Sequence, residues 1–156
     1  MLKLTRIDDR LVHGQVAFTW TPALGINCLL VANDRTAKDD FLKMTLGLAR
    51  PAGVKLLIHS IPEAIAFLND PGNNGLKILL IVDSVKDAHA LALGTPAIAS
   101  INFGGIRGRE GAKMVSKAIA LTEADIILIR ELLGKGIELE VRQVPTDTKQ
   151  AIGDLI

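Results

Sequence analysis

Two short apolar runs constrain the fold of this chain more than any other feature. The runs CLLVA (28–32) and ILLIV (78–82) contain no charged or amide residue, and stretches of helical periodicity separate the apolar runs of the chain. A strand without polar residues must be buried on both faces, which is typical of a parallel sheet with helices on both sides. The pattern therefore predicts an α/β fold: a single three-layer α/β/α domain with a mostly parallel central sheet of about six to seven strands.

The spacing of apolar residues also predicts the order of the elements. Strands are predicted at residues 2–7, 27–33, 54–60, 76–84, 97–105, 112–121 and 137–144. Helices are predicted at residues 14–24, 36–49, 61–70, 85–93 and 122–136.

Three features of the sequence predict local details of these elements. Pro22 is expected to kink or end the first helix, because proline lacks the amide hydrogen. The apolar positions of the second helix are candidate core residues, namely Phe41, Met44, Leu46 and Leu48. The last strand alternates Leu139 with Glu138 and Glu140, which predicts one solvent-facing side near a sheet edge.

Composition excludes several classes of protein. The 156 residues suit one domain, residues 1–156, and the net charge of +1 lacks the basic excess of a nucleic-acid-binding protein. No apolar run reaches the roughly 18 residues that a membrane-spanning helix needs. The single cysteine, Cys28, cannot form an internal disulfide and fits a reducing cytosol. We therefore expect a cytoplasmic domain without nucleic acid and without direct membrane insertion.

Nucleotide and metal sites are not indicated by the sequence. It contains no phosphate-binding loop of the G-x-x-x-x-G-K-[ST] type, and the GGIRGREG segment (104–111) is not a G-x-G-x-x-G fingerprint. His13, His59 and His89 share no metal-ligand spacing, and Cys28 is surrounded by apolar residues. No metal and no cofactor are expected, and His59 and His89 are assigned structural or exposed positions.

The segment RIDDRLVHGQV (6–16) is the candidate functional site. It places His13 between the first strand and Gly14, where a helix is predicted to begin. The free N–H groups and the dipole of a helix N-terminus favour an anion, and parallel sheets bind ligands outside the carboxyl ends of their strands. An imidazole in such a position can attack phosphorus and form a phosphohistidine. The segment therefore predicts a phosphate-binding loop with His13 as its nucleophile.

The charge and position of the residues near His13 indicate their roles in the candidate site. Arg10 can form two bonds to a phosphoryl group and is assigned to catalysis together with His13. The candidate phosphate-binding residues are Arg6, Gly14, Gln15 and Ser84. Asp8 and Asp9 would repel a phosphate that they faced, so we expect them to hold Arg10, the loop backbone or one imidazole nitrogen.

Other residues near the same edge of the predicted sheet each have two interpretations. Ser84 is as well placed to cap the following helix as to donate to a phosphate. The two glycines at 104–105 are expected to shape a loop near the histidine, and Arg107 and Arg109 can steer an acidic partner or simply face solvent. Trp20 is expected to be a core residue or a docking contact.

The segment at 6–16 closely resembles the active-site signature of enzyme IIB components of the phosphoenolpyruvate:sugar phosphotransferase system (PTS), mannose/fructose/sorbose family. Similar segments follow along the whole chain: VANDRTAKDDFLKM, GVKLLIHSIPEAIAFL, NFGGIRGREGAK and GKGIELEVRQVPTD. The resemblance implies a cytosolic phosphoryl carrier, in which His13 accepts a phosphoryl group from a histidine of the IIA component. It also implies transfer to a sugar held by the membrane components IIC and IID, by a protein-histidine phosphotransferase that associates peripherally with them.

Two alternatives remain open at the level of sequence. The same loop would suit a non-catalytic α/β module that binds a small phosphorylated metabolite, or a regulatory interaction domain that uses the fold only as a scaffold. Covalent labelling of one histidine by phosphoenolpyruvate and the general PTS proteins distinguishes the carrier from both. The sugar cannot be read from this chain, because the membrane components would hold it.

Overall fold

The computed structural model describes residues 1–156, and a mostly parallel sheet forms its centre. The strands are β1 Leu2–Asp8, β2 Cys28–Ala32, β3 Lys55–His59, β4 Ile78–Val82, β5 Ser100–Gly105, β6 Lys113–Met114, β7 Ala120–Leu121, β8 Glu138–Val141 and β9 Gln150–Ala151. Seven of them form one sheet in the order β3-β2-β4-β1-β5-β8-β9, in which only β8 and β9 pair antiparallel. The predicted sheet of six to seven strands is confirmed.

Helices cover both faces of this sheet. They comprise a π-helical turn at Val16–Trp20 that continues into α1 Thr21–Ala23, then α2 Asp34–Ala37, α3 Asp40–Gly47, α4 Ile61–Asn69, α5 Val85–Gly94 and α6 Glu123–Gly134, with 3₁₀ turns at Pro71–Asn73 and Ile152–Asp154. None of the helices has the length and apolar character needed to cross a lipid bilayer.

Two apolar cores lie on opposite faces of the sheet. The larger core joins the sheet to α4, α5 and α6 through buried side chains such as Ala64, Leu91 and Ile129. The smaller core joins it to the π-helical turn and α3, and it includes the buried side chains of Val16 and Trp20. Strands β2 and β4 are buried along their whole length, as their apolar runs predict. The predicted three layers are therefore confirmed.

A change of face between neighbouring strands positions the loop of interest. The chain leaves β1 through the π-helical turn on one face of the sheet, and it leaves the adjacent strand β4 through α5 on the other face. Neighbouring strands whose helices lie on opposite faces leave a crevice at their carboxyl ends, where α/β proteins bind ligands. The loop that follows Asp8, the last residue of β1, lies at this crevice.

The prediction of one helix at residues 36–49 was wrong. The chain forms the two helices α2 and α3 there, and Asp39 begins the second one by accepting a hydrogen bond from the Leu42 N–H at 3.1 Å. A short carboxylate that can cap a new helix competes with continuation of the old one. Local capping therefore decided the element boundary, although the apolar spacing runs through it.

The restart at α3 also changes which apolar residues are buried. Phe41, Met44 and Leu48 are 68%, 60% and 84% exposed, so their assignment to the core was wrong. Leu46 is partly buried and packs against the smaller core. The helix begins later than predicted and contacts the sheet through a narrower face, which leaves three large apolar side chains in solvent.

The first helix ends one residue after Pro22, in agreement with the expectation for that residue. The Thr21 N–H donates to the carbonyl of Val16, five residues earlier, which defines the π-helical turn. Pro22 lies in the short last turn, and the chain leaves the helix after Ala23. The wider turn accommodates the proline, because its ring would clash with a regular preceding turn.

Two structural details in the C-terminal half of the chain differ from the predictions. Residues 112–121 form the short antiparallel pair β6 and β7 and not a single strand. Strand β8 does lie next to the edge strand β9, but its predicted solvent-facing side was wrong for one residue. Glu138 is exposed, whereas Glu140 is only 3% exposed and pairs with Arg142 at 2.8 Å. A buried carboxylate of this kind requires polar partners, which are described below.

Candidate functional site

The candidate site is the loop at residues 8–13, between β1 and the first helix. The Leu11 N–H donates to the carbonyl of Asp8 at 2.9 Å, which closes a tight turn. Leu11 has a φ of 58°, in the left-handed region that leucine rarely adopts. Its side chain and that of Val12 are buried in the smaller core, and this packing holds the strained turn in place.

The two ring nitrogens of His13 have different environments. Nε2 lies 2.9 Å from Oδ2 of Asp8, whereas Nδ1 has no hydrogen-bond partner in the protein and is not buried. The side chain is 17% exposed, so the ring is held at the surface. Against an ionised carboxylate, Nε2 carries the proton and donates it, which leaves the lone pair of Nδ1 free. In this arrangement Nδ1 is the ring atom that is available to a ligand.

Asp8 is fully buried and organises the loop. Its carboxylate accepts hydrogen bonds from Arg6 Nη2 at 3.2 Å, from His13 Nε2 at 2.9 Å and from the Arg10 N–H at 3.1 Å. Burial alone would raise the pKa of Asp8, but the hydrogen bond and charge of His13, the Arg10 N–H and the charge of Arg6 together lower that pKa below its ordinary value. Asp8 is therefore a carboxylate at neutral pH, and it orients both the loop backbone and the imidazole.

Arg6 is buried beneath the loop, and not at the surface where its assignment to phosphate binding would place it. Its guanidinium is fully buried, where Nη1 donates to Asn102 Oδ1 at 2.7 Å and to the Arg142 carbonyl at 3.1 Å, and Nη2 donates to Asp8 and to the Gln143 carbonyl, both at 3.2 Å. Burial lowers the pKa of Arg6, and the neighbouring carboxylate opposes this effect. Because its Nη donors are all engaged inside the protein, the structure gives no support to a direct contact between Arg6 and a phosphate.

Arg10 is the exposed cation of the loop. Its side chain is 52% exposed, and Nε lies 3.7 Å from Oδ1 of Asp8, so most of its donors are free for an anion. A cleft of about 450 Å³ extends from Arg10 towards residues 104–108, and a second cleft of about 190 Å³ extends towards α3. The guanidinium can therefore reach an anion in either of the two clefts beside the loop.

The first helical turn presents free N–H groups beside His13. The Ala17 N–H donates to the carbonyl of His13 at 2.9 Å, so the N–H groups of Gly14 and Gln15 precede the first helical donor and have no acceptor within the helix. Gly14 leaves the approach open, since a Cβ at this position would meet only the ring of Phe18, at 3.9 Å. The structure thus brings Arg10, His13, Gly14 and Gln15 together at one surface.

Asp9 and Ser84 have structural partners. Asp9 Oδ2 accepts hydrogen bonds from the N–H and from Nε of Arg107, at 2.8 Å and 3.1 Å, which ties the loop to the segment at 104–111. Ser84 Oγ accepts the Asp87 N–H at 3.1 Å and caps α5. The capping interpretation of Ser84 is the one that the structure supports, because its hydroxyl oxygen is engaged at the start of that helix.

The remaining basic candidates lie away from the loop. His59 packs edge-on against Phe67, with ring centroids 5.5 Å apart, and Nε2 of His89 lies 2.6 Å from a carboxylate oxygen of Glu131. Arg109 pairs with a carboxylate at the start of α6. These contacts are structural, and none of them involves His13.

Sequence reasoning missed a buried polar group under the loop. Asn102 Nδ2 donates to both carboxylate oxygens of Glu140, at 3.2 Å and 3.3 Å, and Asn102 Oδ1 accepts from Arg6. The Gln143 carbonyl accepts from Arg6 and from the indole N–H of Trp20. A polar residue flanked by apolar ones in the strand SINFGG was the available signal for Asn102.

A group of acidic residues lies at the same edge of the sheet, next to the second cleft. Asp83 Oδ2 accepts a hydrogen bond from Asn33 Nδ2 at 2.8 Å. The pKa of Asp87 is raised to about 6, first by burial, then by the charge and hydrogen bond of Asp83 and by the charge of Asp34; Lys86 opposes these effects. The folded protein therefore holds a proton on Asp87 at a pH where the unfolded chain releases it.

We expect Asp87→Asn to stabilise the protein near pH 7. The pKa is higher in the folded state than its ordinary 3.8, so the stability of the wild type falls as the pH rises from 3.8 to about 6. An amide mimics the protonated acid and avoids this loss. Because the side chain is partly exposed to solvent, we expect a gain of only about 1 kcal/mol. Urea unfolding of both proteins at pH 7 and at pH 4 measures it; an equal difference at both pH values would contradict the explanation.

Comparisons with known proteins agree with the fold. The family model described as the PTS system sorbose subfamily IIB component matches residues 2–156. The chain is 37% identical over 156 residues to the PTS system mannose-specific EIIAB component of Escherichia coli (strain K12), covering all of this chain but 48% of that protein, so it spans about half the length of this relative.

Two shorter relatives are covered almost completely. The chain is 32% identical to the PTS system sorbose-specific EIIB component of Lacticaseibacillus casei, over 97% of this chain and 93% of that protein. The crystal structure of the IIBSor domain of the sorbose permease from Klebsiella pneumoniae superimposes with a TM-score of 0.94 at 31% identity, over 99% and 95% of the two chains. The chain therefore belongs to the sorbose subfamily of IIB components of the PTS.

Proposed function

We propose that this chain carries a phosphoryl group on Nδ1 of His13, which it accepts from a IIA component and transfers to a sugar bound by the IIC and IID components. The observation that carries the proposal is the asymmetry of the imidazole. Nε2 is held by the buried carboxylate of Asp8, while Nδ1 is free and open to solvent. In its neutral form, an imidazole held in this way has one defined attacking atom.

The proposed transfer balances without any further reactant. The lone pair of Nδ1 forms the new P–N bond as the P–N bond to the donor histidine breaks, and the bonding pair stays with the donor ring. The imidazole of His13 keeps its proton on Nε2 and gains positive charge, which the carboxylate of Asp8, 2.9 Å away, stabilises. Transfer to the sugar reverses these changes at His13: a sugar hydroxyl oxygen forms the new P–O bond, the P–N bond breaks with its electron pair returning to Nδ1, and the hydroxyl proton is released to water.

The surrounding groups suit the anionic phosphoryl group. Arg10 offers free donors, and the N–H groups of Gly14 and Gln15 lie at the positive end of the helix dipole. Phosphoryl transfer is catalysed mainly by positioning and by stabilising charge on the equatorial oxygens. The membrane components would hold the sugar, so we propose a cytoplasmic protein that associates peripherally with them.

The test is to phosphorylate the protein and locate the phosphoryl group. The purified chain is incubated with phosphoenolpyruvate, the two general PTS proteins and a IIA component, and the product is analysed by ³¹P and ¹⁵N NMR and by peptide mapping. We expect a single acid-labile, base-stable phosphoryl group on Nδ1 of His13. Label on Nε2, or on His59 or His89, would contradict the proposal. Reversible binding of a phosphate ester without any covalent label would support the alternative of a metabolite-binding module.

We expect Arg10→Lys to slow acceptance of the phosphoryl group by roughly ten- to hundredfold, which corresponds to one charge-assisted hydrogen bond of about 1.5–3 kcal/mol. The guanidinium can bind two equatorial oxygens at once, whereas an ammonium group is a single point charge. Single-turnover transfer from phosphorylated IIA measures the rates, and circular dichroism checks the fold. Equal rates would mean that the backbone N–H groups alone bind the phosphoryl group, without a contribution from Arg10.

A further inference from the structure

A row of polar side chains crosses the sheet beneath the functional loop. Arg6 in β1, Asn102 in β5 and Glu140 in β8 are register neighbours on three adjacent parallel strands, and we call these three residues the polar row. Each is at most 3% exposed. Charged side chains are rarely buried in this way, since burying an ion pair is often no more stabilising than an apolar core. The stability of the fold alone therefore does not explain the polar row.

Hydrogen bonds connect the polar row to the nucleophile. Glu140 accepts from Asn102 at 3.2 Å, and Asn102 accepts from Arg6 Nη1 at 2.7 Å. Arg6 Nη2 in turn donates to Asp8 Oδ2 at 3.2 Å, and the same oxygen lies 2.9 Å from Nε2 of His13. The connection is continuous from the far strand to the imidazole.

The guanidinium of Arg6 has no room to reorient. Its Cζ lies 5.2 Å from the centre of the Trp20 ring, and a Cβ on Gly104 would lie only 2.0 Å from Cζ. Trp20 is itself fixed, because its indole N–H donates to the Gln143 carbonyl at 3.0 Å and Arg142 packs on its ring at 5.0 Å. The guanidinium is therefore packed between the backbone of Gly104 and the indole ring of Trp20.

We propose that Arg6 is a positioning residue, held by the polar row, that aims the carboxylate of Asp8 at Nε2 and thereby keeps His13 in the Nε2–H tautomer. Asp8 has a single carboxylate for three donors, and Arg6 and His13 share its Oδ2. When Arg6 is displaced, the carboxylate can turn away from the ring, and the proton can move to Nδ1. A ring protonated at Nδ1 cannot attack through that atom, so the consequence for phosphoryl transfer rests on the proposed function, whereas the tautomer is a property of the protein alone.

The first experiment measures the tautomer in the protein without any donor. Long-range ¹H–¹⁵N NMR at a pH well above about 6.5, the ordinary imidazole pKa, distinguishes the two neutral forms. We expect wild-type His13 to be almost entirely Nε2–H, and Asn102→Leu to populate both tautomers, since leucine removes the link between Arg6 and Glu140. The matched control is Thr5→Val, because Thr5 is buried on the same strand β1 but its hydroxyl has no partner. Thr5→Val should leave the tautomer unchanged.

A second pair of variants moves the guanidinium without removing a polar group. The methyl group of Gly104→Ala would clash with the guanidinium of Arg6 and push it aside. The methyl group of Gly108→Ala, in the segment that follows, would meet nothing within 4 Å. We expect Gly104→Ala to shift the tautomer in the same direction as Asn102→Leu, and Gly108→Ala to leave it unchanged. If Asn102→Leu does not fold, this pair of glycine variants tests whether Arg6 controls the tautomer of His13.

The second readout is transfer from phosphorylated IIA. We expect Asn102→Leu and Gly104→Ala to lower kcat by about tenfold with little change in KM for the donor, the size typical of residues that act through a neighbour. A wild type that is mainly Nδ1–H, or a folded Asn102→Leu or Gly104→Ala with the wild-type tautomer, would overturn the inference even if His13 is phosphorylated. A tautomer shift in a protein that IIA does not phosphorylate would support the inference about Arg6 and would contradict only the proposed function.

Discussion

His13→Ala is expected to abolish acceptance of a phosphoryl group from IIA. Alanine has no nucleophile, and none of the neighbouring groups can replace it: Arg10 is a cation, and Asp8 is buried. The fold should persist, because the imidazole lies at the surface and contributes no part of either core. We expect a loss of stability of about 1–3 kcal/mol, since Asp8 loses one of its hydrogen-bond donors. Transfer from phosphorylated IIA and urea unfolding measure the two effects.

The matched controls for this variant are His59→Ala and His89→Ala. Both residues lie outside the loop at 8–13 and have structural partners of their own. We expect each control to be phosphorylated at a rate close to that of the wild type. Label that persists in His13→Ala and disappears in either control would move the site to that histidine and would contradict the assignment of the loop.

The parts of the fold that were predictable depend on information that is local in the sequence. The runs at 28–32 and 78–82 predict buried parallel strands because each run by itself requires burial on both faces. The loop at 8–13 was predictable for the same reason, since its charged residues, its histidine and the following glycine are contiguous. Their order alone indicates an anion site at the start of a helix.

The parts that were missed depend on contacts between distant segments or on competition between local structures. Asn102 and Glu140 are 38 residues apart and meet only through the register of β5 and β8. Arg6 was assigned to the phosphate because it is close to His13 in sequence, but contacts with Asn102 and with the carbonyls of residues 142 and 143 bury its guanidinium under the loop. Asp39 divided a predicted helix because its side chain caps a new one, which apolar spacing does not report.

Asp8→Asn is expected to slow phosphoryl acceptance by about a hundred- to thousandfold, the range seen when one electrostatic contact to the reacting group is removed. The carboxylate accepts from Arg6, His13 and Arg10, all of which are donors. An amide offers a single oxygen, and its NH₂ group must face one of these donors. The imidazole then loses both the anion that stabilises its positive charge and the partner that defines its tautomer. Single-turnover transfer from phosphorylated IIA measures the rate.

The same variant should destabilise the protein by about 3–5 kcal/mol at pH 7, because it removes the charge nearest to the buried guanidinium of Arg6. The pKa of Asp8 is lowered in the folded state, so its contribution is present above the ordinary carboxyl pKa of 3.8 and is lost as the pH falls through the lowered value. The difference in unfolding free energy between wild type and variant should therefore shrink at low pH. Asp9→Asn is the matched control, since Asp9 pairs with the exposed Arg107 and should change stability by no more than about 1 kcal/mol. Equal effects of the two variants on rate and stability would give Asp8 no role that Asp9 lacks, and would contradict its assignment as the carboxylate that organises the loop.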